Sequence, residues 1–292
     1  MTGQREGSMV NPVPLNRSDS LHVQVARNIR NDIESGALRD GAVLPSTREL
    51  AEQWGVSVFT ISEAMRILAS EGLIESKSRS KRTVRSASQR VADEVRLKRP
   101  NIILVGGYPG SGKTELGRIL ARETGWPILD KDTLTRPVVE AALEFIGHSP
   151  NDRESDEYLN QVRPREYEAL AATIHENLLC GNSVIATAPF IREFGDEAWI
   201  SRTEAAYQDM GAKTVLVWLY CDKEVMHTYV RRRGAARDAA KLANWPQYVS
   251  GIDVTFRPPR PHYLVDNCAS GRPLQEQARG LLDEILEGEE RR

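Results

Sequence analysis

Apolar and polar residues alternate along this chain with two different periods, and the change of period divides it in two. Near the N-terminus the apolar positions recur every three or four residues, as in Leu21, Val25, Ile29 and Ile33, which is the period of an amphipathic helix. From residue 101 onward, short apolar runs alternate with stretches of helical period. Strands that alternate with helices predict a parallel sheet covered by helices on both faces. We therefore predict a two-domain protein whose smaller, first domain is mainly helical.

The first domain carries signals for three helices and a β-hairpin. The residues predicted to cap the helices are, in chain order, Ser18 or Ser20, then Ser46 with Glu49 three residues later, then Ser57. The third helix is predicted at Thr60 to Ser70, and strands near 72–75 and 83–85 flank the basic run 77–82. Three helices followed by a hairpin predict a winged helix-turn-helix of the α+β class over residues 17–85. Residues 1–16 are predicted to be a flexible arm, and residues 86–99 a charged linker.

Several short segments of this region carry a family resemblance. They are Ile33–Gly36, Leu44–Ser46, Glu49–Ala51, Gly55–Ser57, Thr60, Glu63–Ala64 and Glu71–Ile74. With these segments, residues 14–85 resemble the GntR family of bacterial transcription regulators. The resemblance implies a domain that binds operator DNA. Winged helices of this type act in pairs on a two-fold site, so we also expect a homodimer.

The residues expected to contact DNA depart from the family's usual pattern. Arg48 stands where the family usually has a DNA-contacting arginine, whereas Val58 and Ser62 stand where it commonly has arginines. Two guanine contacts, each worth about 1–3 kcal/mol of discrimination, are therefore absent. Basic residues replace the glycines of the wing, which favours phosphate contact. The candidate DNA contacts are Arg48, Ser57, Thr60, Ser62, Lys77, Arg79 and Lys81; a degenerate domain that no longer binds DNA is the alternative.

The second domain, predicted at residues 100–292, opens with a phosphate-binding sequence. Residues 107–114, GYPGSGKT, match the P-loop pattern G-x-x-x-x-G-K-[ST], and they lie between a predicted strand and a predicted helix, as the pattern requires. The predicted nucleotide contacts are Gly107, Gly110, Ser111, Gly112, Lys113 and Thr114. Lys113 is expected to reach the phosphates of ATP, and to be a solvated charge in the free protein, while Thr114 is expected to ligate Mg²⁺. An ordinary glycine-rich turn is the alternative.

Two aspartates follow the second predicted strand, 126–129. Asp130 and Asp132 come at the carboxyl end of this strand, where ligands bind in open α/β sheets. We predict that Asp132 takes the proton of an acceptor hydroxyl and that Asp130 lies at the metal. Either residue could instead cap the helix that follows, and the order of the two roles stays open. Thr187 ends the third strand, where many P-loop enzymes have an aspartate that holds Mg²⁺ through water.

An arginine cluster between the fourth and fifth predicted strands resembles the lid of small-molecule kinases. We predict that Arg233 and Arg237 stabilise the transferring phosphoryl group and that Arg232 contacts the nucleotide, since guanidinium groups suit phosphate oxygens. A solvated basic helix is the alternative. Arg136 and Arg192 are the candidate contacts to the acceptor. Arg163 and Arg165 could also contact an anionic acceptor, although each by itself is more typical of a solvated surface.

Residues 100–285 as a whole resemble the group of zeta-toxins, chloramphenicol phosphotransferases and shikimate and gluconate kinases. The resemblance implies an α/β P-loop fold with a five-stranded parallel sheet, and transfer of phosphate from ATP to a small-molecule hydroxyl. With the first domain, it suggests a transcription regulator whose ligand state tunes DNA binding. Two alternatives remain: a regulator that only senses ATP and a metabolite, and a kinase whose winged helix no longer binds DNA.

Charge and cysteine usage refine this hypothesis. Basic residues outnumber acidic ones by 16 to 12 in residues 1–99, whereas the whole chain holds 39 basic and 41 acidic residues, so the basic excess lies in the domain expected to meet DNA. The three cysteines lack metal-ligand spacing and are expected to be reduced thiols. Apolar runs are too short to span a bilayer. We therefore expect a cytoplasmic protein without a membrane partner.

Overall fold

The computed structural model of the protein describes residues 20–38, 40–78, 81–85 and 99–290. The chain forms two compact units, which meet in sequence between Lys98 and Arg99. The arm predicted at residues 1–16, and all of the predicted linker except Arg99, lie outside the described residues.

The described residues of the first unit form three helices and a two-stranded antiparallel sheet. The elements are α1 (Leu21–Glu34), α2 (Thr47–Trp54), α3 (Val58–Ser70), β1 (Ile74–Ser78) and β2 (Lys81–Val84). One face of each helix is buried in a common core, to which Ile29, Leu50, Ile61 and Leu68 contribute fully buried side chains. This is the predicted arrangement of a winged helix-turn-helix.

Local hydrogen bonds explain where these helices begin. Ser46 Oγ accepts from the Glu49 amide, and the Glu49 carboxylate accepts from the Ser46 amide at 2.6 Å, so the predicted capping box is present. Ser57 Oγ accepts from the Thr60 amide at 3.1 Å, which starts α3 at Val58, two residues before the predicted start. Ser20 occupies the N-cap position of α1, but its side chain makes no capping hydrogen bond.

The second unit is built on a five-stranded parallel sheet, as predicted. Its strands are β3 (Asn101–Gly106), β4 (Ile128–Asp130), β5 (Val184–Thr187), β6 (Lys213–Tyr220) and β7 (Tyr263–Asp266), in the spatial order β4-β5-β3-β6-β7. β3 lies in the centre, with all six of its residues buried, because β5 and β6 flank it and helices cover both faces.

Helices cover the two faces of this sheet. They are α4 (Lys113–Thr124), α5 (Lys131–Phe145), α6 (Arg163–Leu179), α7 (Ile191–Gly195), α8 (Glu197–Asp209), α9 (Lys223–Arg233), α10 (Ala239–Ala243), α11 (Trp245–Ser250) and α12 (Leu274–Glu290). A π-helical turn, Tyr158–Val162, leads into α6. Buried residues of α4 and α12 pack on one face of the sheet, and buried residues of α6 and α8 pack on the other.

This topology brings the predicted chemistry to one edge of the sheet. Because the strands are parallel, their carboxyl ends lie on the same side. β3 ends at the P-loop, β4 ends at Asp130, and β5, which lies between them, ends at Thr187. The candidate site is therefore assembled from segments that are far apart in sequence.

Candidate functional site

The P-loop is shaped by glycines that no other residue could replace without a clash. Gly110 has φ 83°, and a Cβ there would lie 2.7 Å from Val230 Cγ2; Gly112 has φ 97°, and a Cβ there would lie 2.5 Å from Asn267 Nδ2. Asn267, just after β7, donates to the Ser111 carbonyl at 2.9 Å and so holds the loop in place. The loop leads directly into the N-terminus of α4, which is the positive end of the helix dipole.

The predicted nucleotide contacts of the loop divide into two groups. Gly110, Gly112, Lys113 and Thr114 line a cavity of about 950 Å³. Gly107 and Ser111 are buried beneath it instead. Ser111 Oγ is fully buried without a hydrogen-bond partner among the described residues. The part of the loop nearest to α4 therefore faces the cavity, whereas its first residue and Ser111 are buried.

Lys113 is held by the P-loop, and the expectation of a solvated charge is wrong. Its ammonium group donates to the Tyr108 carbonyl at 2.8 Å. Burial and the neighbouring charge of Arg233 lower the pKa of Lys113 to about 8, although Asp132 and Asp130 oppose this shift. The side chain of Lys113 is half-buried and lines the cavity. Such a cation would gain much from an anionic ligand.

Asp130 caps the helix that follows it, and its second carboxylate oxygen lies at the threonine of the P-loop. One carboxylate oxygen, Oδ1, accepts from the Thr133 amide at 2.9 Å and thereby caps α5. The other, Oδ2, accepts from Thr114 Oγ1 at 3.0 Å and from Thr187 Oγ1 at 2.6 Å. Thr187 therefore holds the carboxylate that lies beside the threonine of the P-loop. The structure brings the two predicted metal-site residues, Thr114 and Asp130, into contact.

Asp132 lies two residues farther along the chain, where it faces the space between the cavities. Its side chain is 37% exposed, and its Oδ1 lies 3.0 Å from Lys131 Nζ. It lines the cavity of about 950 Å³ described above, which we call the nucleotide-side cavity after the predicted nucleotide contacts that line it. It also lines an adjacent cavity of about 520 Å³, which we call the acceptor cavity. Both carboxylate oxygens of Asp130 accept hydrogen bonds, whereas Asp132 faces both cavities; the order of the two predicted roles stays a prediction.

A buried ionic cluster supports this wall of the acceptor cavity. Lys131 is 3% exposed, and its Nζ lies 2.6 Å from Glu166 Oε1. Tyr158 donates to Glu166 Oε2 at 2.7 Å, and Thr135 Oγ1 lies 2.9 Å from Oε1. Burial, followed by the charge of Glu166, raises the pKa of Tyr158 well above its ordinary value. Sequence reasoning missed this cluster, because no motif links Lys131 to a carboxylate 35 residues away.

The arginines of the lid do not all reach the site. Arg233, the last residue of α9, lines both cavities and pairs with the buried Asp238, with its Nη2 2.6 Å from Asp238 Oδ2. Arg232 is exposed and lines neither cavity. The side chain of Arg237 lies outside the described residues. Of the three predicted lid arginines, Arg233 is thus the one that the structure places at the cavities.

The predicted acceptor contacts are also divided. Arg136 lines the nucleotide-side cavity, whereas Arg192 is exposed and lines neither cavity. Arg163, for which the sequence left both an acceptor contact and a solvated surface position open, lines the acceptor cavity, and its Nη2 lies 2.8 Å from Glu193 Oε1. Four tyrosines and Arg153 also line this cavity; the tyrosines are Tyr108, Tyr158, Tyr167 and Tyr248. Tyrosines and charged residues therefore make up most of the residues that line it.

Four of the candidate DNA contacts lie at helix starts: Arg48 in the first turn of α2, and Ser57, Thr60 and Ser62 at the start of α3. Arg48, Ser57 and Ser62 are exposed, and Thr60 is half-buried. The side chains of Lys77 and Lys81, and the whole of Arg79, lie outside the described residues.

The donor set of the P-loop fits a magnesium nucleotide. A hydroxyl and a carboxylate, Thr114 and Asp130, lie together at the P-loop, and oxygen donors are those that Mg²⁺ prefers; its remaining positions are commonly filled by phosphate oxygens and water. Among the described residues there is no group of three or more His, Cys, Asp or Glu side chains that could by itself hold a metal ion. In the same residues, no helix is long and apolar enough to cross a membrane.

Comparison with known families assigns both units. Residues 21–84 match the family described as bacterial regulatory proteins, gntR family, and residues 102–253, more than half of the chain, match the family described as AAA domain. The chain belongs to this AAA domain family. Its first unit is a GntR-type DNA-binding domain, which confirms the resemblance inferred from the sequence.

Individual relatives agree with this assignment. A shikimate kinase of Symbiobacterium thermophilum is 30% identical over 195 residues, which are 65% of this chain and 99% of that protein. A shikimate kinase of Moorella thermoacetica is 34% identical over 119 residues, 38% of this chain and 64% of that one. The HTH-type transcriptional regulator GgaR of Escherichia coli is 31% identical over 117 residues, 36% of this chain and 46% of its own. The chain thus spans less than two thirds of the last two relatives.

Proposed function

We propose that this protein is a DNA-binding transcription regulator whose second unit binds ATP and Mg²⁺ and phosphorylates a hydroxyl group of a small molecule. In this proposal, occupancy of the kinase-like unit tunes the affinity for operator DNA.

One observation carries the enzymatic part of the proposal. Lys113, Thr114, Asp130, Asp132 and Arg233 come from three separate segments, yet all five line the nucleotide-side cavity. A desolvated lysine, a hydroxyl beside a carboxylate, a reachable carboxylate and an arginine are the parts that phosphoryl transfer requires. The same five residues also line the acceptor cavity, so that the donor and the acceptor would meet among them.

Each of these side chains has a defined part in the proposed reaction. Asp132 accepts the proton of the acceptor hydroxyl while the acceptor oxygen forms a bond to the γ-phosphorus of ATP. The bond from that phosphorus to the oxygen that bridges the β- and γ-phosphates breaks, and ADP is released. Lys113 and Arg233 stabilise the charge on the phosphoryl oxygens. Thr114, with Asp130 beside it, would hold Mg²⁺, which neutralises phosphate charge when bound. Lys131, Glu166 and Tyr158 keep α5 and the acceptor wall rigid.

Production of ADP tests this proposal. The chain would be incubated with ATP and Mg²⁺ and a panel of nucleosides, sugars, vitamins, aminoglycosides and hydroxy acids. Shikimate is the first candidate, because two relatives are named shikimate kinases. We expect one acceptor to stimulate ADP release in the parent and not in Lys113→Ala. No turnover with any acceptor, together with tight ATP binding, would favour a sensor instead.

The sensor is a second candidate because of Thr187. This buried residue presents a hydroxyl where many P-loop enzymes present an acid, and the hydroxyl is already bonded to Asp130. Asp130 is thereby satisfied without a metal ion. A regulator that binds ATP and a metabolite without turnover would explain this arrangement, and the panel distinguishes it from a kinase.

For the coupling to DNA, we propose a homodimer formed through α5. Leu134, Val138, Ala141 and Phe145 are exposed and follow the spacing i, i+4, i+7, i+11, which is the seam of a helix pair. We infer that a second copy of this chain covers this seam, because winged-helix domains act in pairs on two-fold sites. Asp130 caps this same helix and contacts Thr114, so a ligand at the P-loop would act on the first turn of the dimer helix.

Two measurements test this coupling. Val138→Glu should convert a dimer to a monomer in light scattering, whereas Leu264→Glu, at another exposed apolar residue of the same unit, should not. Titration of the promoter DNA of the protein's own gene at fixed salt, with and without ATP and the acceptor, should show a shift of about 5–150-fold in affinity. An affinity that is the same under every ligand would mean that the two units act independently.

A further inference from the structure

The first turn of α3 presents two large apolar side chains to solvent. Phe59 is 74% exposed and Val58 is 49% exposed, although both belong to a helix whose opposite face is fully buried. The second helix of a helix-turn-helix motif, here α3, is the recognition helix. Its N-terminal residues are those that meet base edges in the major groove. The two side chains therefore stand where bases are read.

The hydroxyl groups of the same turns make hydrogen bonds to other atoms of these turns. Ser57 Oγ lies 2.8 Å from Thr60 Oγ1 and accepts from the Thr60 amide, while Ser62 donates to the Val58 carbonyl at 2.9 Å. Residues 57–64 include no arginine, lysine, asparagine or glutamine, which are the side chains that form bidentate hydrogen bonds to purines. The outward chemistry of this turn is thus apolar.

In the major groove, one group is itself apolar: the C5-methyl of thymine. We propose that Val58 and Phe59 recognise thymine methyl groups, so that the half-site under the start of α3 is defined by thymines rather than by guanines. This inference rests on the proposed DNA binding and specifies its chemistry. Arg48, exposed near the start of α2, would add phosphate contact without base preference.

Thymidine and 2′-deoxyuridine differ by this methyl group alone, which allows a direct test. The full-length chain would first select its preferred half-site from a randomised duplex. Each thymine of that site would then be replaced singly by deoxyuridine, and the affinity measured at fixed salt. At one or two positions we expect a loss of about fourfold, the effect of burying one methyl group.

Variants connect the effect to the two side chains. Phe59→Ser and Val58→Ser should each lose the preference for thymine at the position that the removed side chain contacts, and the double variant should bind thymine and deoxyuridine duplexes equally. The salt dependence should be unchanged, because phosphate contacts remain. Val23→Ser is the matched control, since Val23 is also an exposed apolar residue but lies on α1. It should retain the full preference for thymine. Thermal unfolding of each variant should match the parent, because these side chains are exposed.

The outcomes separate this inference from the proposed function. Duplex binding with equal affinity for thymine and deoxyuridine in the parent would overturn the methyl recognition and leave DNA binding intact. Absence of duplex binding even at low salt would overturn both. If Phe59→Ser splits an oligomer and leaves the base preference unchanged, the side chain packs against a second copy, and the inference fails.

Discussion

Two lysines on the wall of the proposed site differ in burial and in partners: Lys131 is buried, and Lys113 is half-buried. Lys131, at the acceptor end, lies 2.6 Å from Glu166 and 3.0 Å from Asp132, so its charge is balanced by carboxylates. Lys113, at the phosphate end, donates to the Tyr108 carbonyl, and its pKa is lowered to about 8, first by burial and then by the charge of Arg233.

The difference indicates which cation is structural and which is kept for a ligand. A buried charge with a carboxylate partner is already stabilised, and little is gained when another anion arrives. A desolvated charge without such a partner is unfavourable until an anion binds, and the energy of that encounter is then available for binding or catalysis. At the phosphate end, Lys113 therefore has a charge that a bound anion would stabilise. At the acceptor end, the charge of Lys131 is already paired with carboxylates.

The largest effect should follow from removing Lys113. Lys113→Ala should reduce phosphoryl transfer by at least 10²–10³-fold, the range found when one charge-stabilising donor is lost. The free energy of unfolding without ligand should stay level or rise, because a desolvated charge is removed. Initial rates and urea denaturation would be measured on the same preparation. A marked loss of stability would show that Lys113, like Lys131, is structural.

Asp132 lies between the two lysines and is the next residue to test. Asp132→Asn should lower turnover by about 10²–10⁴-fold, the contribution of a positioned base, while ATP affinity stays near that of the parent. ATP affinity would be measured by calorimetry and turnover by ADP release. If ATP binding collapses and acceptor chemistry survives, Asp132 belongs to the metal site and Asp130 becomes the candidate base.

Removing Lys131 should affect stability before it affects chemistry. Lys131→Met leaves Glu166 buried without its ion-pair partner, which typically costs about 3–5 kcal/mol in the free energy of unfolding. Arg165→Met removes an exposed pair with Glu168 at 2.7 Å on α6 and should cost less than about 1 kcal/mol. Chemical denaturation would compare the two variants. Equal effects would contradict the structural role of Lys131, and Glu166→Gln in the Lys131→Met background should restore part of the loss.

The smallest effect is a pH dependence that belongs to Lys113. Its folded-state pKa, about 8, lies below the ordinary 10.5, so the unfolded chain binds more protons between these values. The free energy of unfolding should therefore rise with pH from about 8 to about 10.5, by roughly 1–3 kcal/mol, and this rise should be absent from Lys113→Met. Denaturation of both proteins at pH 7.5 and at pH 10 gives the difference directly.

Ligand binding provides the complementary measurement. An anion at the P-loop should raise the pKa of Lys113, so ATP binding near pH 8 should take up a fraction of a proton. Calorimetry in buffers of different ionisation enthalpy measures this uptake, with Lys113→Met as the control. Equal uptake by the parent and the variant would assign the proton to another group.

The sequence by itself determined the parts of this protein that depend on neighbouring residues. The P-loop, the capping box at Ser46 and the pair Asp130 and Asp132 could be predicted because each is contiguous. Glycine conformations, helix caps and strand ends are set by local backbone sterics and hydrogen bonds. The two-domain organisation was likewise predicted from the change in the spacing of apolar residues along the chain.

Only the tertiary structure decided how those parts are completed. Thr187 reaches Asp130 across 57 residues, and Lys131 reaches Glu166 across 35, because β4 pairs with β5 and α6 packs beside them. Arg232 and Arg233 are adjacent in sequence, yet one is at the cavities and the other is not, since successive helical residues point about 100° apart. Strand order and helix packing thus decided which of several chemically equivalent side chains line the cavities.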